Sequence, residues 1–198
     1  MNKKVKNILG LAVFLFLADF SINSASAYKG IYDGTRRFKC DKNLTSVIVT
    51  DGVTKIGKHA FSGCTNLESI TIPNSVKLIG SSAFHGCKNL TSITLSNNLT
   101  SIYSNTFEGC KNLKSIIIPN SVKSIGYLAF GDCTSLESIK IPISVKSIDN
   151  HTFRGCTSLK KVTIPQRFEK QIDHIFPECK NLNITFKIIW ISYLIKNK

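Results

Sequence analysis

Residues 122–144, Val122-Lys-Ser-Ile125-Gly-Tyr-Leu-Ala-Phe130-Gly-Asp-Cys133-Thr-Ser-Leu136-Glu-Ser-Ile139-Lys-Ile141-Pro142-Ile-Ser144, are one 23-residue unit that the chain repeats. Phe stands at 61, 84, 107, 130, 153 and 176, Cys at 64, 87, 110, 133, 156 and 179, and Leu at 67, 90, 113, 136, 159 and 182. Three residue types locked to one step of 23 do not arise by chance in 198 residues. A fixed period of this size is the mark of a solenoid, in which each repeat buries its apolar face against its neighbours.

Within the unit, Leu67-Glu-Ser69-Ile70-Thr71-Ile72-Pro73 alternates apolar and polar residues, the period of a half-buried strand. Ile70 and Ile72 point inward, and Ser69 and Thr71 outward. Pro73, Pro119, Pro142 and Pro165 end the strand, because proline cannot donate to a ladder. Val76 and Ile79 turn inward again. Gly57, Gly80 and Gly126 share one slot, read as a turn conformation open only to glycine, with Tyr103 and Asp149 replacing them in other repeats. The segment Ala83-Phe84-His-Gly86-Cys87 carries the chain back and is too short for more than about one helical turn. A lone repeat cannot fold, since its few inward side chains do not offset the entropy of fixing 23 backbones. The predicted fold is therefore an α/β-type, mostly β solenoid. It is a right-handed leucine-rich-repeat stack of about six rungs, one strand per 23 residues, with a parallel sheet on one face.

The ends read differently. A basic start (Lys3, Lys4, Lys6), an apolar run from Ile8 to Ala18 and Ser24-Ala25-Ser26-Ala27 have the layout of a secretory signal peptide over 1–27, cleaved after Ala27. Residues 28–43 form an N-terminal cap or degenerate repeat, in which Phe38, Cys40 and the following Leu44 echo the columns with one residue too many between Cys40 and Leu44. The repeat domain covers 44–182, and 183–198 form a C-terminal cap or tail, too short in its apolar part to span a bilayer. The formal net charge is +14; with three Lys and one Asp in the leader, the mature chain keeps +12. Such a charge suits acidic polymers, but the lysines are scattered and form no run, which favours a solvated surface.

Six of the seven cysteines share one column, so each does the same job in its rung: filling a small apolar slot as a buried thiol. Pairing between rungs, which lie ~4.8 Å apart in a stacked sheet, is the alternative. Short Cys pairs of the zinc-site kind are absent. His59, His151 and His174 lie two before the repeat Phe and read as exposed turn residues rather than metal ligands. The sequons at Asn43, Asn89, Asn98, Asn150 and Asn183 partly share a column with Asn66, Asn112 and Asn181, which points to a structural Asn. No nucleophile elbow, phosphate loop, zinc-protease motif or nucleic-acid module is present, so neither catalysis nor a cofactor is predicted.

The unit Ile-Pro-x-Ser-Val-x-x-Ile-Gly-x-x-Ala-Phe-x-Gly-Cys-x-x-Leu-x-x-Ile resembles the BspA-like, or Treponema pallidum-type, leucine-rich repeat, and residues 72–93 and 118–139 match it almost position by position. The resemblance implies a secreted or cell-surface protein that mediates protein–protein interaction or adhesion. The partners it implies are matrix proteins such as fibronectin or fibrinogen, host cell receptors or other microbes. The alternative reading is a basic carbohydrate- or cell-wall-polyanion-binding protein. The chain is expected to be monomeric, with no nucleic-acid partner and no evident transmembrane anchor.

Solenoids bind along their extended faces, and here the outward strand positions form two columns. Ser46, Ser69, Ser92, Ser115, Ser138 and Lys161 make one, and Ile48, Thr71, Thr94, Ile117, Lys140 and Thr163 the other. The ten from Ser69 and Thr71 onward are the candidate contacts. Ile48, Ile117 and Lys140 are the irregular features of this lightly polar surface.

Overall fold

The computed structural model describes residues 28–34, 38, 40–180 and 182–188. The leader expected over 1–27 and its expected cleavage site, and the tail from 189 onward, lie outside the described residues.

Seven short strands lie on one face. β1 (Tyr28–Tyr32), β2 (Leu44–Val49), β4 (Ser69–Thr71) and β6 (Ser92–Thr94) pair in that order. β9 (Ser138–Lys140), β11 (Lys161–Pro165) and β12 (Asn183–Lys187) pair in turn. All are parallel, in the register the repeat dictates: Ser46 faces Ser69, which faces Ser92, and Ser138 faces Lys161. Parity holds throughout, with Ile70, Ile93, Ile139 and Val162 buried. β12 has one residue fewer in its repeat, yet keeps register with Lys161 opposite Asn183 and Val162 opposite Ile184.

Most rungs have more than the single strand expected. The Val-x-x-Ile segments add β3 (Lys55–Ile56), β5 (Leu78–Ile79), β7 (Ser101–Ile102), β8 (Ser124–Ile125) and β10 (Ser147–Ile148), also parallel. The return turn makes a third inter-rung ladder. The N–H groups of His59, Phe61 and Gly63 donate to the carbonyls of Ser81, Ala83 and His85 in the next rung, at 3.1, 2.7 and 2.8 Å. Phe84, Phe107, Phe130 and Phe153 repeat the middle bond at 2.8–3.0 Å. In the last rung the turn is preceded by a 3₁₀ segment, Gln166–Gln171, and a single α-turn, α1 (Ile172–Ile175). There the Phe176 N–H folds back to the Ile172 carbonyl at 2.9 Å.

The Phe, Cys and Leu columns fill the core as predicted. Phe61, Phe84, Phe107, Phe130 and Phe153 are wholly buried. From Phe61 to Phe176 successive rings stack nearly parallel, with centroids 4.8–5.5 Å apart. Flat rings repeat at the rung spacing without clash, and each buries a large apolar area.

Three expectations need correction. Gly80 and Gly126 are not in a conformation reserved for glycine; their reason is proximity. A Cβ on Gly80 would sit 2.7 Å from the Lys58 N, and one on Gly126 2.7 Å from the Ser104 N, whereas Gly57 faces open space. The left-handed positions lie elsewhere, at His59, Ser82, Asn105, Leu128 and His151 and in the column of Gly63, Gly86, Gly109 and Gly155.

Second, the strand expected at Ser115–Ile117 does not join the ladder, which stops at β6 and resumes at β9. Propensity is not the cause, since Ile116, Ile117 and Ile118 are good strand formers. The rung before the gap is the irregular one. Ser96 stands where other rungs have Pro, is fully buried, and donates its hydroxyl to the Val76 carbonyl at 2.6 Å. The Asn97 N–H bonds Asn74 Oδ1 at 2.8 Å, and Asn98 Nδ2 bonds the Asn74 carbonyl at 2.7 Å. This rung is thus fastened on its strand side to its N-terminal neighbour, and the break falls on the other side. The short ladder is also interrupted at this rung, between β5 and β7.

Third, the cysteines follow both readings at once: Cys40 and Cys64 form a disulfide with Cα atoms 5.2 Å apart, and Cys87, Cys110, Cys133 and Cys156 are free and buried. The bonded pair is separated by 24 residues, because Cys40 follows Phe38 by two residues where Cys64 follows Phe61 by three, while Phe38 and Leu44 keep the 23-residue step to Phe61 and Leu67.

Two substitutions test this packing. Phe107→Ala empties the middle of the ring stack and is expected to cost ~3–5 kcal/mol in urea unfolding. Gly126→Ala is expected to cost ~1–3 kcal/mol by overpacking, while Gly57→Ala, with open space before it, leaves the midpoint within error.

Candidate functional site: the exposed sheet face

The outward strand positions stand where parity put them. Thr71, Ser92, Thr94, Ser115, Ile117, Ser138, Lys140 and Lys161 are exposed, and Ser69 and Thr163 are half-buried. The ladder brings Ser69 beside Ser92, Thr71 beside Thr94, Ser138 beside Lys161 and Lys140 beside Thr163. Ser115 and Ile117 lie on the segment that leaves the ladder, so the face divides there into two blocks.

Ile117 is the most exposed large apolar side chain among the described residues, at 85%. A groove of about 850 Å³ lies over the interruption. Ile118, Pro119 and Pro142 contribute buried apolar surface to it; Ile117, Ile143, Lys140 and Lys187 also line it. Ile143 and Lys187 escaped the sequence reading. Ile143 follows the strand-ending Pro142, in the column of Asn74, Asn97 and Asn120, and Lys187 occupies the proline column only because β12 has lost a residue. The signal for Ile143 was present: an apolar residue in a column of asparagines.

The N-terminal block of the face differs in chemistry. Its two columns, Ser46, Ser69, Ser92 and Ile48, Thr71, Thr94, hold no charge, and a smaller groove of about 380 Å³ lies over Ile48, Ser69 and Thr71. Beyond Ile117 the same columns carry Lys140 and Lys161.

The turn side offers little for chemistry. His59 and His151 hold left-handed turn positions and His174 lies in α1. The His151 N–H donates to the His174 carbonyl at 2.6 Å, a backbone bond. Among the described residues no group of three His, Cys, Asp or Glu is placed to hold a metal ion. The asparagine column bridges rungs, with Asn66 Nδ2 on the Lys42 carbonyl at 2.6 Å and Asn112 Nδ2 on Asn89 Oδ1 at 3.3 Å.

The free thiols are the obvious nucleophiles, and the fold disarms them. Each donates to the carbonyl of the Phe in the preceding rung: Cys87 to Phe61 at 3.1 Å, Cys110 to Phe84 at 3.3 Å, Cys133 to Phe107 at 3.2 Å, Cys156 to Phe130 at 3.1 Å and Cys179 to Phe153 at 3.2 Å. The Phe61 carbonyl also accepts from the Cys64 N–H at 3.1 Å, so the thiol takes its second lone pair. Burial pushes the Cys87 thiol up to about 12 and the Cys179 thiol up to about 11. Burial, reinforced by neighbouring thiols of the column, raises Cys110, Cys133 and Cys156 further. The thiolate is the reactive form, so these groups are inert at neutral pH.

Comparison with known proteins follows the same lines. The model of the BspA type leucine rich repeat region matches residues 34–142 and 124–193, in six copies. The crystal structure of a Treponema pallidum leucine-rich repeat protein is 31% identical over 73% of this chain and 70% of that one, with a TM-score of 0.63. A leucine-rich cell surface protein of Faecalibacterium prausnitzii is 37% identical over 64% of this chain, which spans 33% of that one, with a TM-score of 0.62. A leucine-rich repeat protein of Bacteroides ovatus is 31% identical over 73% of this chain and 43% of that one, with a TM-score of 0.57. No curated protein matches.

Thiol counting without reductant tests the column. At pH 8 the half-buried Cys179 is expected to react first, and Cys87, Cys110, Cys133 and Cys156 only on denaturation. Absence of these four from the denatured count would mean that they are paired. The raised folded-state values also set a pH dependence. Unfolded thiols titrate near 9.0 while Cys87 stays protonated to about 12. Stability is therefore complete below about pH 8.5 and falls as pH rises beyond it, by up to ~1.4 kcal/mol per thiol per unit.

Proposed function

This chain belongs to the BspA-type leucine-rich-repeat family, and from that premise we propose that it is a secreted or cell-surface protein mediating adhesion through protein–protein contact along its exposed sheet face. The observation that carries the reading is Ile117, an isoleucine 85% exposed in an outward column that otherwise holds Thr71, Thr94, Thr163, Lys140 and, near its N-terminal end, Ile48. An apolar side chain left uncovered amid polar neighbours suits an anchor with a polar rim. The stacked backbone is rigid, so docking on it loses little conformational entropy. Lys140 beside it supplies a charge that sets orientation and on-rate. Matrix proteins such as fibronectin or fibrinogen, and host cell receptors, are the proposed partners. The leader-like residues 1–27 support export, as does the likeness to a protein described as a cell surface one. Thiols held protonated in the core support a binding scaffold rather than an enzyme.

The net charge of +12 left when the +2 of residues 1–27 is taken from the whole chain's +14 favours a second reading, attachment to a carbohydrate or cell-wall polyanion. Salt separates the two. Polyanion attachment falls steeply between 0.15 and 1 M salt, where the screening length shortens from ~8 to ~3 Å; recognition through an apolar anchor weakens far less. Ile117→Asp and Lys140→Glu are both outside the core and should leave thermal unfolding unchanged. Each is expected to weaken attachment to a fibronectin- or fibrinogen-coated surface by more than ~1 kcal/mol. Unchanged attachment in both, with loss on substituting the turn face, would move the site to the turns.

A further inference from the structure

We propose that the groove over the sheet interruption takes an extended, acidic segment of a protein partner, with an aliphatic or aromatic side chain seated against Ile117 and Ile143 and carboxylates on Lys140 and Lys187. This rests on the reading of the sheet face as a protein-binding surface and adds the partner's chemistry and the place it docks.

The electrostatic argument comes from the lining. Both charged residues of the groove, Lys140 and Lys187, are cationic, and no Asp or Glu lines it. Lys161, the strand neighbour of Ser138, adds a third cation; it and Lys140 are exposed and Lys187 is half-buried. Neither lysine of the groove is in an ion pair found among the described residues, where the pairs are His85–Glu108 and Arg154–Glu178. The same columns of the N-terminal block hold no charge, so the face steers an acidic partner toward one half.

The apolar argument comes from burial. Ile118 is 4% exposed, while Ile117 is 85% and Ile143 41% exposed in the same groove. A sulfated or phosphate-rich polymer has nothing apolar to cover those two side chains. A protein segment does. The carboxylates alone would find two lysines in the groove, a sparse charge for a polyanion site. The pairing of apolar and cationic groups is what favours a peptide.

Length follows from the rungs. The lining runs from Asn97 to Lys187, which is about four rung steps of ~4.8 Å, or roughly 19 Å. About six residues of extended chain cover that span at ~3.3 Å each.

The test pans a displayed library of random nine-residue peptides against the immobilised full chain, with heparin as a soluble competitor in a parallel arm. The expected result is enrichment of peptides with net negative charge and a large apolar residue. Their affinity should fall at least tenfold for Ile117→Asn and for Lys140→Glu combined with Lys187→Glu, while Thr71→Arg changes it less than twofold. Circular dichroism melting of each variant establishes that it is folded. Enriched peptides without acidic bias, or peptides lost on Thr71→Arg but kept by Ile117→Asn, would overturn the groove assignment and leave the sheet-face reading standing. Peptides indifferent to all of these variants, or strong heparin binding with no peptide enriched, would overturn both.

Discussion

A coil that must return to the same place one rung further on accepts only side chains that tolerate their own copy at that spacing. This condition decides the composition of nearly every column. Phe satisfies it by stacking, with neighbouring centroids 4.8–5.5 Å apart along the whole core. Leu and Ile satisfy it as ordinary buried aliphatics. Asparagine satisfies it at the surface by bonding the rung before, as Asn66 and Asn98 do. Because every rung meets the condition only through its neighbours, stability is shared along the stack rather than held by any one repeat.

The cysteine column shows why a buried polar atom can be selected for. A thiol is small enough for the slot and still a donor, so each Phe carbonyl deep in the core has both lone pairs occupied. An alanine would fit and leave one lone pair bare; a serine would donate better at a greater cost of burial. Oxidation would remove the proton that makes the bond. It is consistent that the disulfide, Cys40 to Cys64, stands at the end of the column, where Cys40 sits one position earlier than the 23-residue step would put it.

Much of this was legible because repetition amplifies weak signals. The Phe, Cys and Leu columns, strand parity and the exposure of Ile117 all follow from period and alternation. What period alone does not carry is the reason a residue recurs. Glycine at 80 and 126 looks like a conformational requirement and is a steric one, because closeness to Lys58 and Ser104 is a property of the stacked pair. The left-handed turn at 59, 82, 105, 128 and 151 escaped notice because its occupants include Leu128, a residue that gives no hint of positive φ. The sheet break announced itself only as Ser96 in the place of a proline. Half of the groove was readable as outward strand positions; Ile143 and Lys187 depend on a turn and on a register change that alternation does not describe.

The turn ladder gives the molecule a sense of direction. Its inter-rung N–H groups point toward the C-terminal end and the carbonyls that receive them point back, from Phe38 and Ala60 to Phe153 and Ile175. The peptide dipoles of that edge therefore add along the axis instead of cancelling. Two copies brought together by matching ends would oppose donor to donor or acceptor to acceptor, and a two-fold partner could not extend the edge. Only a head-to-tail order would match donors to acceptors, and in the last described rung the α-turn directs one of the edge's donors, the Phe176 N–H, back onto the Ile172 carbonyl instead of along the axis.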